Sequence, residues 1–217
     1  MKMPESLTGN RLLPALKHLQ IITLTVLVFL SGCSFMDKKT IQAPRVYLSK
    51  TLQWQLPGIE LLPPGQYVLT QSVQATYGDK TVDLLFHVEK QSSRLAIAAL
   101  TPGGQPLIQL VYENGQVIGH TNPMVPAGLS LPYLVSDFLL TYGRVEALRS
   151  VLEKDAVTLQ LQGPDRVFRY RDQPIIHINY SRESLETATG KWPAAIKLRN
   201  QALGYQLSIQ TLSYSQL

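Results

Sequence analysis

From Gly65 to the C-terminus apolar and polar residues alternate with a period of two, and helical spacing breaks that alternation once, in the middle. A period of two places apolar side chains on one face of a strand, so the chain is bound to build a sheet with one buried face. Val82, Leu84, Phe86 and Val88 alternate with Thr81, Asp83, Leu85, His87 and Glu89, and Leu95, Ile97 and Ala99 continue the pattern. Leu69 and Val73 share one side of the strand before them. Tyr77-Gly78-Asp79-Lys80 and Thr101-Pro102-Gly103-Gly104 supply turns, and Asn114-Gly115 is a two-residue hairpin signal between residues 107–112 and 116–120. These segments predict a five-stranded antiparallel meander.

Asn122–Leu131 reads as a Pro/Gly-containing loop, and Pro132 suits a first helical turn. Leu134, Val135, Phe138 and Leu139 then fall at helical spacing, and Val145, Leu148 and Leu152 share one stripe of a second helix. Both helices are expected to be short and amphipathic, each burying a face on the sheet. Alternation resumes with Val157, Leu159 and Leu161, passes the Gly163-Pro164-Asp165 turn, and returns at Val167–Arg171 and at Ile176, Ile178 and Tyr180. Residues 182–191 read as a polar loop before two last strands at 194–199 and 205–210. The fold class is mainly β: a strongly curved antiparallel sheet of about ten strands, open on one side, with two helices inserted midway as a lid.

The first third of the chain is organised differently. Lys2, Arg11 and Lys17 precede the uncharged run Ile21–Leu30, which has signal-peptide length and is too short for a bilayer core that needs about 20 apolar residues. Leu30-Ser31-Gly32-Cys33 follows directly and resembles the lipobox of bacterial lipoproteins. The other reading is an uncleaved anchor with an incidental cysteine, since Leu19–Met36 carries no charge. The lipobox resemblance implies that residues 1–32 are removed and that Cys33 becomes a lipidated N-terminus. Its diacylglyceryl thioether and amide-linked acyl chain would hold the protein stably on a membrane. Ser34, in place of an inner-membrane-retaining Asp, implies the periplasmic face of the outer membrane. Residues 33–57 are then the lipidated cysteine and tether, with no clear period over 34–46, and residues 58–217 are the body.

Composition narrows the function classes. Hydrophobic residues are 45% and charged residues 16%, against roughly 25% charged in average soluble chains, so disorder is excluded. One cysteine excludes an internal disulfide framework and a cysteine-clustered metal site. The net charge of +5 falls to +3 without the leader's three basic residues and Glu5. No run of five basic residues occurs, so nucleic acid is not an expected partner.

The chain holds no Gly-x-Ser-x-Gly, no phosphate-cradling loop and no His-Glu-x-x-His, and Ser130 has no nucleophile context. No enzyme activity, cofactor or metal is expected. His87 and His177 are expected to face solvent, opposite the apolar stripes, and His120 lies at or near a strand position. Asp137 is expected as a helix-surface carboxylate, with a polar group inside a cavity as the alternative. Arg169 and Arg171, which alternate with aromatics, read as a solvated strand face, with anionic headgroups as the alternative.

Two stretches carry a family resemblance: Arg94-Leu95-Ala96-Ile97 leading into Leu100-Thr101-Pro102-Gly103-Gly104, and Trp192-Pro193-Ala194-Ala195-Ile196-Lys197-Leu198. With the order of leader, lipidated cysteine, meander, helical insert and return strands, the chain resembles the LolA/LolB type of lipoprotein-localisation proteins over most of residues 65–217. It is also similar to bacterial lipoproteins encoded beside aryl-polyene biosynthesis genes. The first resemblance implies an unclosed β-barrel whose helices cover an apolar cavity for acyl chains, with Leu134, Phe138, Leu139 and Leu148 as cavity or lid residues. It implies a lipid or lipidated cargo and an envelope exporter or periplasmic carrier as partners. The chain departs from the pattern at Gly103, where the LolB loop carries a protruding leucine that helps deliver cargo. The competing reading is an assembly lipoprotein that docks an envelope export system and binds no lipid.

Overall fold

In the computed structural model, residues 38–123, 125, 130–187 and 190–217 are described. Cys33, the lipobox and the leader lie outside them. The strands are β1 (Lys39–Gln42), β2 (Arg45–Tyr47), β3 (Gln53–Gln55), β4 (Tyr67–Tyr77), β5 (Lys80–Lys90), β6 (Arg94–Leu100), β7 (Pro106–Glu113) and β8 (Gln116–Thr121). Two helices follow, α1 (Leu131–Tyr142) and α2 (Val145–Leu152). The return strands are β9 (Val157–Gln162), β10 (Asp165–Tyr170), β11 (Gln173–Tyr180), β12 (Ser184–Thr187), β13 (Gly190–Pro193), β14 (Ala195–Asn200) and β15 (Tyr205–Gln216).

Eleven strands form one antiparallel sheet in the order β1-β8-β7-β6-β5-β4-β15-β14-β11-β10-β9. Its end strands β1 and β9 do not pair with each other, so the sheet is not closed. The expected meander is β4–β8. Its last hairpin turns at Asn114 and Gly115, whose φ values of 50° and 70° are the left-handed pair that a two-residue loop demands.

The sheet curls around α1. This helix touches β7 and β8 near one edge and accepts hydrogen bonds from β10 and β11 near the other. The core lies between them, with Leu69, Val88, Leu95, Ile97, Leu110, Val117, Phe168, Ile178 and Leu198 facing inward from the strands. Among the described residues no helix is long and apolar enough to cross a membrane.

Three expectations need correction. The tether ends early: β1 pairs with β8 from Lys39, and Val46, Leu48, Leu52, Trp54 and Leu56 are buried in the core. The physical reason is an alternation of their own, on β2, β3 and the segment between, which packs against α1. The polar loop over 182–191 instead contains the β12–β13 hairpin, with Leu185 paired to Trp192. The third correction concerns α1, which is not a one-sided lid. Every described side chain in it except Tyr133 is buried, because the sheet covers one side and residues 45–62 cover another. A helix apolar all round is a buried helix. By contrast α2 buries Leu148 and Leu152 and leaves Glu146 and Ser150 in solvent.

Candidate functional site beneath and beside the buried helix

Helix α1 ends where polar side chains of the sheet take over its hydrogen bonds. The last carbonyls of a helix have no partner within it. Gly143 N–H donates to Leu139 O at 2.8 Å, Arg166 Nη1 on β10 donates to Leu140 O at 2.9 Å, and Tyr180 Oη on β11 donates to Thr141 O at 2.6 Å. The Arg166 cation also suits the negative end of the helix dipole. Gly143 is dictated by space: a Cβ there would lie 2.5 Å from Leu139 O and 2.9 Å from Leu148 Cγ. The next residue ties this junction to the covering segment. Arg144 N–H donates to Leu61 O at 2.7 Å, and Arg144 Nη2 donates to Glu60 O at 3.0 Å.

The inner face of α1 does not pack flush on the sheet. A space of about 50 Å³ remains between Leu134, Phe138, Thr141 and Tyr142 on the helix and Val73, Leu84, Phe86, Val88, Ile97 and Ile209 on the strands. Three polar side chains border it. Gln71 occupies an apolar register position on β4 between Leu69 and Val73, is buried, and donates from Nε2 to Tyr142 Oη at 2.5 Å. Asp137, only 9% exposed, accepts from Tyr205 Oη at 2.6 Å. Burial pushes its carboxyl up to about 7, and the hydrogen bond from Tyr205 pulls the other way. Thr141, 1% exposed, has a hydroxyl without a hydrogen-bond partner among the described residues.

Beside this space an open cleft of about 480 Å³ lies among the C-terminal end of α1, the β9–β10 turn and the β12–β13 hairpin. Thr141 and Tyr142 line both. The cleft wall also holds Arg166, Tyr180, Lys191 and Trp192. The Arg166 guanidinium lies 5.4 Å from the Tyr180 ring centroid. Burial lowers its pKa, while Tyr180 and Glu146 act in the opposite sense. The Trp192 ring packs 4.9 Å from Tyr142 and 5.4 Å from Tyr67.

Of the residues singled out in the sequence, Leu134 and Phe138 border the space under α1. Leu139 is fully buried but does not border it, and Leu148 lies on α2 against the α1–α2 junction. Asp137 is corrected from the helix surface to the buried face, where Tyr205 holds it. His87 is exposed, whereas His177 is half-buried with Nε2 3.9 Å from Asp165 Oδ2. Arg169 folds back on Asp172 O, and Arg171 lies 5.1 Å from the Tyr170 ring centroid, so both are occupied at their own turn. Gly103 sits exposed in the β6–β7 turn. Among the described residues no three His, Cys, Asp or Glu side chains could hold a metal ion.

Sequence reasoning missed Gln71, Tyr142, Arg166, Trp192 and Tyr205. Gln71 alone left a signal, a polar residue in an apolar register. The others sit at partly buried strand or helix positions whose neighbours come from distant segments.

No curated protein matches the chain. The solved structures similar to it include these two. One is a LolA superfamily protein from Nitrosomonas europaea, at 7% identity and a TM-score of 0.45, with 74% of this chain and 90% of that chain covered. The other is a putative outer membrane lipoprotein-sorting protein domain from Vibrio parahaemolyticus, at 6% identity and a TM-score of 0.37, with 70% of this chain and 85% of that one covered. In sequence, residues 68–213 match the family described as protein of unknown function (DUF3261). That stretch runs from the second residue of β4 into β15 and holds the meander, both helices and the return strands, so the chain belongs to the DUF3261 family.

Proposed function

We propose that this protein is an outer-membrane lipoprotein anchored through Cys33, which binds an acyl or polyene chain, or a cargo carrying one, in the interior beneath α1. It acts by binding and not by catalysis. The observation that carries this reading is the almost wholly apolar space between α1 and strands β4, β5, β6 and β15. Apolar burial would supply the affinity, and the few polar groups at its border would fix orientation. A buried carboxylate and an unpartnered hydroxyl are costly in an inert core, which favours a site over plain packing.

At 50 Å³ the space is about one third of the roughly 150 Å³ of an engineered cavity that admits benzene, so a long chain enters only if α1 shifts. The same small volume favours the second reading, a docking lipoprotein of an export system with a filled core. Native mass spectrometry of the protein purified from its host separates the two. A retained mass of one lipid or acylated cargo is the expected result. A bare polypeptide that also fails to take up a fluorescent fatty acid would leave the docking reading.

A further inference from the structure

We propose that the cleft beside the C-terminal end of α1 is a head-group site, taking the anionic carboxylate or phosphate of an amphiphile whose chain passes Thr141 and Tyr142 into the space under α1. The chain's path rests on the function proposed above, whereas the head-group site stands on the cleft alone. Its volume of about 480 Å³ falls within the range of roughly 300–1,000 Å³ typical of small-ligand sites.

Two residues of the wall carry a buried donor that lacks an acceptor among the described residues. Trp192 is 8% exposed, and its Nε1–H, which can only donate, has no partner among the described residues. The Thr141 hydroxyl, in the shared wall, has none either. Arg166 spends one donor on Leu140 O, and among the described residues no carboxylate forms an ion pair with it. Buried donors without acceptors are rare in folded proteins, and a ligand with several acceptor oxygens satisfies them together.

The surrounding charge is consistent with this. Lys191 also lines the cleft and lies 3.5 Å from exposed Glu186, while Glu183 is the one carboxylate among the described lining residues and is itself exposed. The larger open groove of about 580 Å³, reached by Ser72, Gln74 and Asp83, contains none of the buried unpartnered groups. It has no comparable claim.

Trp192→Phe tests the site, because it removes the donor and keeps the aromatic packing. In the full-length chain the two indole N–H resonances, of Trp54 and Trp192, are followed by NMR while hexanoate or glycerol 3-phosphate is added. A shift confined to Trp192 is expected in the wild type, and calorimetric titration, which needs no indole reporter, should give an affinity about tenfold lower in Trp192→Phe at an unchanged melting midpoint. Whichever of the two anions binds tighter identifies the head as carboxylate or phosphate. Fluorescent hexadecanoic acid and its methyl ester are compared in the same variant. Loss of affinity for the acid alone supports the site.

Equal binding of acid and ester, with Trp192 unmoved, overturns the head-group site and leaves chain binding standing. Short anions that shift Trp192 beside a long chain that binds no tighter support the site and remove the interior path. If neither anion at millimolar concentration moves Trp192, the proposal fails.

Discussion

The two helices are joined through Gly143 and Arg144 alone, yet α1 and α2 obey different rules. In α2, Leu148 and Leu152 form a buried stripe, and Glu146 and Ser150 face solvent. This is the amphipathic pattern of a helix laid on a surface. In α1 almost every side chain is buried, and the buried set includes Asp137, Ser136 and Thr141. A helix packed merely for stability has no need of those groups. Their presence on the buried helix and not on the exposed one locates the polar chemistry of the interior. The layer of residues 45–62 over α1 also means that opening the interior moves two layers, not one.

The contrast breaks most sharply at Phe138. Its ring lies 4.7 Å from that of Tyr142 and borders the apolar space. Phe138→Asp is expected to destabilise by roughly 5 kcal/mol, through lost burial and an unpaired charge, and to abolish uptake of a fluorescent fatty acid. Thermal melting and the binding titration are read on the same sample. A nearly unchanged midpoint with lost binding would mean that α1 readily turns the charge outward. Retained binding would show that the chain does not pass this residue.

Asp137 gives α1 a pH signature. Its folded-state pKa of about 7 lies above the unfolded 3.8, so folding favours the protonated form. The stabilisation is full below about pH 4 and is lost as pH rises toward and past 7, on the order of 4 kcal/mol in all. Asp137→Asn stays neutral. It should match the wild type near pH 4 and exceed it in denaturant midpoint at pH 8. Parallel pH profiles for the two proteins would place the carboxylate in solvent.

At the junction, Gly143→Ala puts a methyl group against Leu139 O and Leu148, and a cost of about 1–3 kcal/mol is expected. For a domain of this size each kcal/mol lowers the melting midpoint by about 2–4 °C. An unchanged midpoint would show that the α1–α2 joint yields freely. The smallest effect belongs to the exposed face of α2, where Ser150→Ala should stay within about 0.5 kcal/mol in both melting and binding.

Much of the fold was legible because alternation reports which face of a strand is buried. The strands of the meander and both helices lie where the periods placed them. The early segment was misread because its alternation over Leu52, Trp54 and Leu56 is short and ends at Pro57, so it resembled a tether. Asp137 was misread because amphipathic spacing assigns a charged residue to the solvent face, whereas it lies on the sheet side of α1 and is held there by Tyr205 from the distant strand β15. The cleft was illegible for a different reason. Arg166, Tyr180 and Trp192 come from three strands, and no local period brings them together.

The central claim is that the interior beneath α1 admits a chain, and photo-crosslinking tests it most directly. A hexadecanoic acid with a diazirine at its terminal carbon is bound, irradiated, and its adducts mapped by peptide mass spectrometry. Adducts at Leu134 or Phe138 on α1 and at Val73, Phe86 or Ile97 on the strands are the predicted result. Adducts confined to exposed residues such as Leu161 or Leu212, or none above background, would contradict it.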